Sequence, residues 1–109
     1  MKKCIGSSVI FVALAASASA DECSTYISKI AAFKTDFERQ KSALLGDVNR
    51  VAKADLCSRA VLLKGQVMGL WPDVLKTINA CSQERSDKAN STFDEIRAQE
   101  RQLSSKLCD

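Results

Sequence analysis

Apolar residues recur every three or four positions along most of this chain, which is the spacing of a helix with one buried face. The pattern predicts four helical segments, at about 24–45, at about 48–68, from Pro72 onward, and from Phe93 to the C-terminus. No stretch alternates strictly between apolar and polar residues, and no Asn-Gly or Asp-Gly pair suggests a hairpin between strands. The sequence therefore predicts an all-α fold.

Each segment carries a stripe of residues that we expect to form the core. In chain order the stripes are Tyr26, Ile30, Phe33, Phe37 and Leu44; Val48, Ala52, Leu56, Ala60, Leu63 and Val67, widened by Val51, Val61 and Met68; Val74, Leu75, Ile78 and Cys81; and Phe93, Ile96, Leu103 and Leu107. The second segment is the most apolar, so we expect it to pack at the centre. Residues 82–92 include no large apolar side chain and form either a solvated helix or a loop.

Three local signals mark the boundaries between segments. Gly46 is typical of a helix end, and the Asp that follows it is typical of a helix cap. Gly69 and Pro72 give the firmest boundary, because Gly is common just past one helix end and Pro at the start of the next. Thr92 lies three residues before Glu95, which predicts a capping box and a new helix there.

The first twenty residues have the composition of a secretory signal peptide. Lys2 and Lys3 precede an apolar run at 9–16, and residues 18–20 (Ala-Ser-Ala) match the small-residue pattern that signal peptidase cleaves. The run is too short to span a bilayer. We therefore expect cleavage after Ala20, a single α-helical domain over 21–109, a periplasmic or secreted location, and no stable membrane anchor after cleavage.

Removal of the leader leaves a nearly neutral protein. The full chain has 16 Lys+Arg and 13 Asp+Glu, and loss of Lys2 and Lys3 leaves 14 basic against 13 acidic residues. These charges are spread evenly along the chain. The sequence therefore offers no basic surface for nucleic acid.

Cys4 belongs to the leader, and the remaining cysteines, Cys23, Cys57, Cys81 and Cys108, form an even set. Four cysteines in a short exported domain predict two disulfides. Facing residues of a helical hairpin have numbers that average to the turn, and Cys57 and Cys81 average to position 69. We therefore predict a nested pattern with Cys57–Cys81 inside Cys23–Cys108.

The nested pattern places both chain ends at the same end of the bundle and so requires an even number of helices. We favour a small disulfide-stapled antiparallel bundle of four helices, arranged up-down-up-down, with turns at Gly46 and within 82–92. The alternative is one long helical hairpin that turns at Gly69–Pro72.

Few catalytic constellations are available to this chain. It has no histidine and no Cys-x-x-Cys, which excludes His-dependent triads and thioredoxin-like redox sites. The neighbouring carboxylates, Glu84 with Asp87 and Asp94 with Glu95, lie where helix starts and solvated faces favour negative charge. We predict no enzymatic activity, no catalytic or metal-ligating residues and no cofactor.

Leu70 and Trp71 are the candidate interaction surface, because a lone Trp beside a turn is a typical interface anchor. We favour the structural alternative, in which the Trp71 side chain caps one end of the core. The leading functional hypothesis is a non-enzymatic interaction or accessory protein of the bacterial envelope: a secretion or conjugation accessory, an immunity protein or inhibitor, or a stress factor. Its partner would be another envelope or extracellular protein. The alternatives are a carrier of a small apolar ligand between the helices and a secreted effector.

Overall fold

The computed structural model describes the backbone of residues 2–109 and the side chains of residues 22–109. Four helices occupy this range: α1 (Lys2–Gly46), α2 (Lys53–Gly69), α3 (Trp71–Ala80) and α4 (Gln83–Cys108). The described backbone includes no strand, and the prediction of an all-α, disulfide-stapled bundle is confirmed. The expected signal peptide, residues 1–20, lies outside the residues whose side chains are described, and it stays a prediction.

Helices α2 and α3 run in line and form one column of the bundle, which packs antiparallel to α1. Residues of α1 and of the turn after it contact residues of this column. When the two residue numbers of each contact are added, the sums are nearly equal. The sums are 106 for Asp47–Arg59, 106 for Gln40–Gln66 and 104 for Cys23–Cys81. Because the sum stays constant from α2 into α3, the chain does not reverse between the two helices.

Helix α4 packs antiparallel to the same column and parallel to α1. Its contacts with α2 and α3 also have a constant sum: 165 for Cys57–Cys108, 164 for Trp71–Phe93 and 163 for Thr77–Ser86. Its contacts with α1, Lys34–Glu95 and Lys41–Gln99, have instead a nearly constant difference. The bundle therefore has three columns, up-down-up, with α2 and α3 together as the middle column.

The backbone between Gly69 and Pro72 explains why the middle column continues. Leu70 has right-handed helical angles, φ −78° and ψ −22°, and its carbonyl accepts from the amides of Asp73 and Val74. Pro72 lies in the first turn of α3, where its missing N–H costs no helical hydrogen bond. Gly69 does not adopt the positive φ of a left-handed helix end. The up-down-up-down order and the long-hairpin alternative both required a reversal here, and both are wrong.

The two reversals of the chain lie at 47–52 and at 81–82. In the first, the amide of Val51 bonds to the carbonyl of Asp47, and the Asp47 carboxylate accepts from Arg50 and, at 3.0 Å, from Arg59 of α2. The segment predicted to begin at Val48 therefore becomes helical only at Lys53.

Ser82 caps α4, which begins at Gln83, ten residues before the start predicted at Phe93. Its hydroxyl oxygen accepts from the amide of Arg85 at 3.3 Å, which is the bond expected of an N-cap. Residues 83–92 are helical, which settles the choice between helix and loop for this stretch. The capping box expected from Thr92 and Glu95 is wrong, because both lie inside α4.

Two disulfides are present, but their pairing is interleaved rather than nested. Cys23 bonds to Cys81 with α-carbons 5.0 Å apart, and Cys57 bonds to Cys108 with α-carbons 4.8 Å apart. The predicted pairs were wrong because the averaging rule was applied to Gly69, where the chain does not turn. The observed pairs average to 52 and 82.5, at the two true reversals.

The core runs along the axis between the three columns. Its buried apolar residues are Ile30, Phe37 and Leu44 from α1; Leu56, Ala60, Leu63, Val67, Leu70 and Val74 from the middle column and its link; and Ala89, Phe93, Ile96, Leu103 and Leu107 from α4. Most of the predicted stripes are confirmed. The exceptions are exposed: Val48, Ala52, Val61, Met68, Leu75 and Ile78.

Candidate interaction surface

Exposed apolar side chains are concentrated on the middle column. Of the seven large apolar side chains that are exposed among the described residues, six belong to α2 and α3, and Val48 of the first reversal is the other. The six are Val61, Leu62, Met68, Trp71, Leu75 and Ile78. Val61 and Ile78 are each 57% exposed, which is far beyond what a core position shows.

Five of these six share one side of the column, which we call the outer face: Val61, Met68, Trp71, Leu75 and Ile78. Val61, Met68 and Leu75 are seven residues apart, so they align along the column axis. Trp71 and Ile78 have the same spacing and lie on the side of α4, since Trp71 packs against Phe93. Leu62 lies apart from them, toward Gln40 and Ala43 of α1.

Trp71 forms the aromatic part of the outer face. Its ring centroid lies 5.0 Å from that of Phe93. The Arg97 guanidinium lies over the Phe93 ring, 6.0 Å from its centroid. Leu70, the second residue of the predicted interaction surface, is buried in the core. Of the predicted pair, only Trp71 is therefore part of the outer face. Trp71 lies partway along the bundle rather than at the tip of a hairpin.

Two basic side chains beside the outer face, Lys64 and Arg97, make no ion pair within residues 22–109. Lys64 is exposed one helical turn from both Val61 and Met68. The Nε of Arg97 is buried and donates to no acceptor in the described part of the chain. Neither basic side chain is therefore paired with a carboxylate of the described chain.

Gly65 leaves the backbone of α2 open beside the outer face. A β-carbon added at this position would meet no atom within 4 Å, so close packing inside the monomer does not explain the glycine. Glycine on a helix surface permits a second helix to approach closely. It also weakens an isolated helix by about 1 kcal/mol relative to alanine.

A half-open groove of about 370 Å³ lies on another side of the bundle, between α1 and α4. Its apolar part is formed by Ile27, Ile30, Ala31 and Ala89. Its polar border is formed by Lys34, Glu84, Arg85, Lys88 and Thr92. This groove and the outer face have no residue in common.

The carboxylates considered as candidate catalytic or metal-binding groups are exposed, and some of them bond to other side chains. Among residues 22–109 there is no cluster of three or more His, Cys, Asp or Glu side chains that could hold a metal ion. Glu84, Asp87, Asp94 and Glu95 are all exposed. Asp87 accepts a hydrogen bond from Gln83, and Glu95 pairs with Lys34 at 3.8 Å. Within the described residues, no helix combines the length and hydropathy needed to cross a membrane.

Sequence reasoning assigned most of the outer face to the core, because its residues share the helical spacing of buried positions. One feature of the sequence does indicate a second apolar face: α2 has more large apolar residues than a single buried stripe can include. Leu56, Ala60, Leu63 and Val67 complete the inner stripe, and Val61 and Met68 remain outside it.

Comparison of the chain with protein-family models, with curated protein sequences and with solved structures finds no match.

Proposed function

We propose that residues 21–109 act as an exported, non-enzymatic interaction protein that binds an amphipathic helix of another envelope or extracellular protein along the outer face. The observation that carries the proposal is the line of exposed Val61, Met68 and Leu75, bordered by Trp71 and Ile78. A contiguous apolar patch on a stapled scaffold is typical of a protein-binding site.

The spacing of the face favours a helical partner. From Val61 to Ile78 the column rises about 26 Å, which matches the length of a five-turn helix. Seven-residue spacing is the repeat with which two helices bury a common seam. The open backbone at Gly65 allows the partner to approach closely, and Trp71 with Arg97 supplies the residue types that dominate binding energy at interfaces.

The charges at the border favour acidic residues on the partner. Lys64 and Arg97 have no acidic partner in the described monomer. A carboxylate beside the partner's apolar stripe would accept from either side chain and would set the register of the two helices. The partner we propose therefore has apolar residues at seven-residue spacing with Asp or Glu next to them.

Site-specific photocrosslinking in cells that express the native chain tests this assignment. A photoreactive amino acid is placed at Met68 or Leu75 and, as controls, at Ser42 or Ala98, which are exposed positions on α1 and α4. We expect adducts from the first two positions only, to a peptide with apolar heptad spacing and acidic flanks. Adducts of equal yield from the controls, or adducts to a second copy of this chain, would contradict the proposal.

Two substitutions separate binding from stability. Leu75→Asp should abolish the adduct at Met68 while changing the free energy of unfolding little, because Leu75 is exposed; Ala98→Asp adds the same charge on α4 as a control. Gly65→Ala should stabilise the monomer by about 1 kcal/mol yet weaken the adduct. An unchanged adduct in both Leu75→Asp and Gly65→Ala would eliminate the outer face as the binding site.

A further inference from the structure

The groove between α1 and α4 exists because small side chains face each other there. Ala31 of α1 and Ala89 of α4 lie on opposite walls, with Ile27 and Ile30 beside them. The two helices are parallel, and neither disulfide joins one to the other directly. The space of about 370 Å³ is near the lower end of the range for small-molecule sites.

The border of the groove is basic. Arg85 and Lys88 make no ion pair within the described residues, whereas Lys34 pairs with Glu95 at 3.8 Å. Glu84 is the single acidic residue in the lining. Arg85 and Lys88 lie in the first two turns of α4, where the helix dipole adds to the positive potential.

From this combination we infer that the groove binds one single-chain fatty carboxylate, with the acyl chain against Ile27, Ile30 and Ala31 and the head group at Arg85 and Lys88. The apolar walls exclude a wholly polar anion as the preferred occupant, because they would stay exposed. The limited volume favours one chain over a two-chain lipid. The inference stands independently of the proposed function, because the two sites share no residue.

Titration of isotope-labelled, oxidised 21–109 with decanoate below its micelle concentration tests the inference. We expect saturable NMR shifts centred on Ile27, Ala31 and Ala89, with none on the outer face. Decyl maltoside and decyltrimethylammonium should bind about tenfold more weakly, since they lack the carboxylate. Equal affinity for the three head groups, or shifts centred on Met68 and Leu75, would overturn the site.

Matched variants identify the walls and the head-group contacts. Ala31→Leu fills the groove and should weaken decanoate binding about tenfold, whereas Ala32→Leu, on the neighbouring exposed position, should leave it unchanged. Arg85→Gln with Lys88→Gln should weaken binding, and Lys106→Gln with Arg101→Gln should not. Equal losses in a variant and its control would exclude the groove.

Anionic phospholipid vesicles serve as the second arm of the experiment. We expect no co-sedimentation of the protein with vesicles under conditions in which decanoate binds. Binding to vesicles alone would refute the single-chain occupant. Absence of decanoate binding would also refute it. That result would not change the crosslinks expected at the outer face, so the two proposals are tested separately.

Discussion

The side-chain oxygens of Thr77 and Ser86 lie 3.1 Å apart in the core, on either side of the second reversal. Thr77 donates its own proton to the carbonyl of Val74 at 2.6 Å, so Ser86 is the donor between the two hydroxyls. This buried chain of hydrogen bonds joins α3 to α4 four residues from the turn on either side, and it sets the register of the two helices.

Thr77→Val retains the shape of the side chain and leaves the Ser86 hydroxyl buried without its partner. We expect a loss of about 1–3 kcal/mol in the free energy of unfolding, measured by urea denaturation. Ser86→Ala should cost less, because the bond from Thr77 to Val74 remains. The double variant should cost less than the sum of the two single changes. Additive costs would show that the two hydroxyls do not interact.

Non-reducing tryptic digestion should yield two specific disulfide-linked peptide pairs. From the mature chain, residues 21–29 should be linked to 77–85, and residues 54–59 should be linked to 107–109. Mass spectrometry before and after reduction identifies each pair. A linkage between 54–59 and 77–85 would restore the nested pattern and disprove the three-column arrangement.

Glu100 is a buried acidic residue in the core of α4. It is 1% exposed; one carboxylate oxygen accepts from Ser104 at 2.6 Å, and the other has no partner within the described residues. Replacing a buried polar group of this kind with an apolar one removes its desolvation cost. We expect Glu100→Leu to raise the free energy of unfolding by about 1–3 kcal/mol, measured in urea.

Glu38→Leu is the control for that substitution, because Glu38 is exposed on α1. It should change stability by less than about 0.5 kcal/mol. A loss of stability in Glu100→Leu would show instead that the carboxylate makes a net favourable contribution to the fold.

Asp47 makes part of the stability dependent on pH. Hydrogen bonds from Arg50 and then Arg59 hold the pKa of its carboxyl below the ordinary value. Because the folded pKa is the lower one, the contribution is present above the pKa of the unfolded chain, about 3.9, and it is lost as the pH falls through the folded pKa. We expect Asp47→Asn to reduce stability at neutral pH and to flatten the acid limb of a urea-midpoint profile.

Asp94→Asn provides the comparison for the pH profile, since Asp94 is exposed and has no ion pair within 22–109. Its profile should match that of the unmodified protein. Asp36 also has a lowered pKa, through Arg39 and Gln40, so the Asp47→Asn profile should retain some slope. An Asp47→Asn profile with an unchanged acid limb would disprove the contribution.

The number of helices and most of the core could be predicted from the sequence, but the starts of α2 and α4 and the direction of the chain could not. Pro72 and Gly69 mark an interruption equally well whether the next helix reverses or continues. The outcome depends on Leu70, whose side chain is 5% exposed in the core and keeps the link in line with both helices. Burial of that residue is a tertiary effect, and it overrides the local turn signal.

The outer face was hidden from sequence reasoning for a related physical reason. Helical periodicity identifies an apolar face but does not show whether another helix packs against that face. Helix α2 has one apolar stripe that faces the core and another that faces outward. Val74 and Leu75 illustrate the difficulty, because they are adjacent and both apolar, yet only Val74 is buried. The three-column arrangement decides between them, and it depends on the direction of the chain at Leu70.

The interleaved disulfides have a consequence for a nicked chain. Cys23–Cys81 and Cys57–Cys108 close two covalent rings that share the segment from Cys57 to Cys81. One peptide-bond cleavage anywhere between Cys23 and Cys108 frees no fragment. Two cleavages also free none if they fall in different intervals between successive cysteines, because every piece keeps a cysteine bonded to another piece. A protease must therefore cut twice within one interval, or once in each of the three, before this part of the chain comes apart.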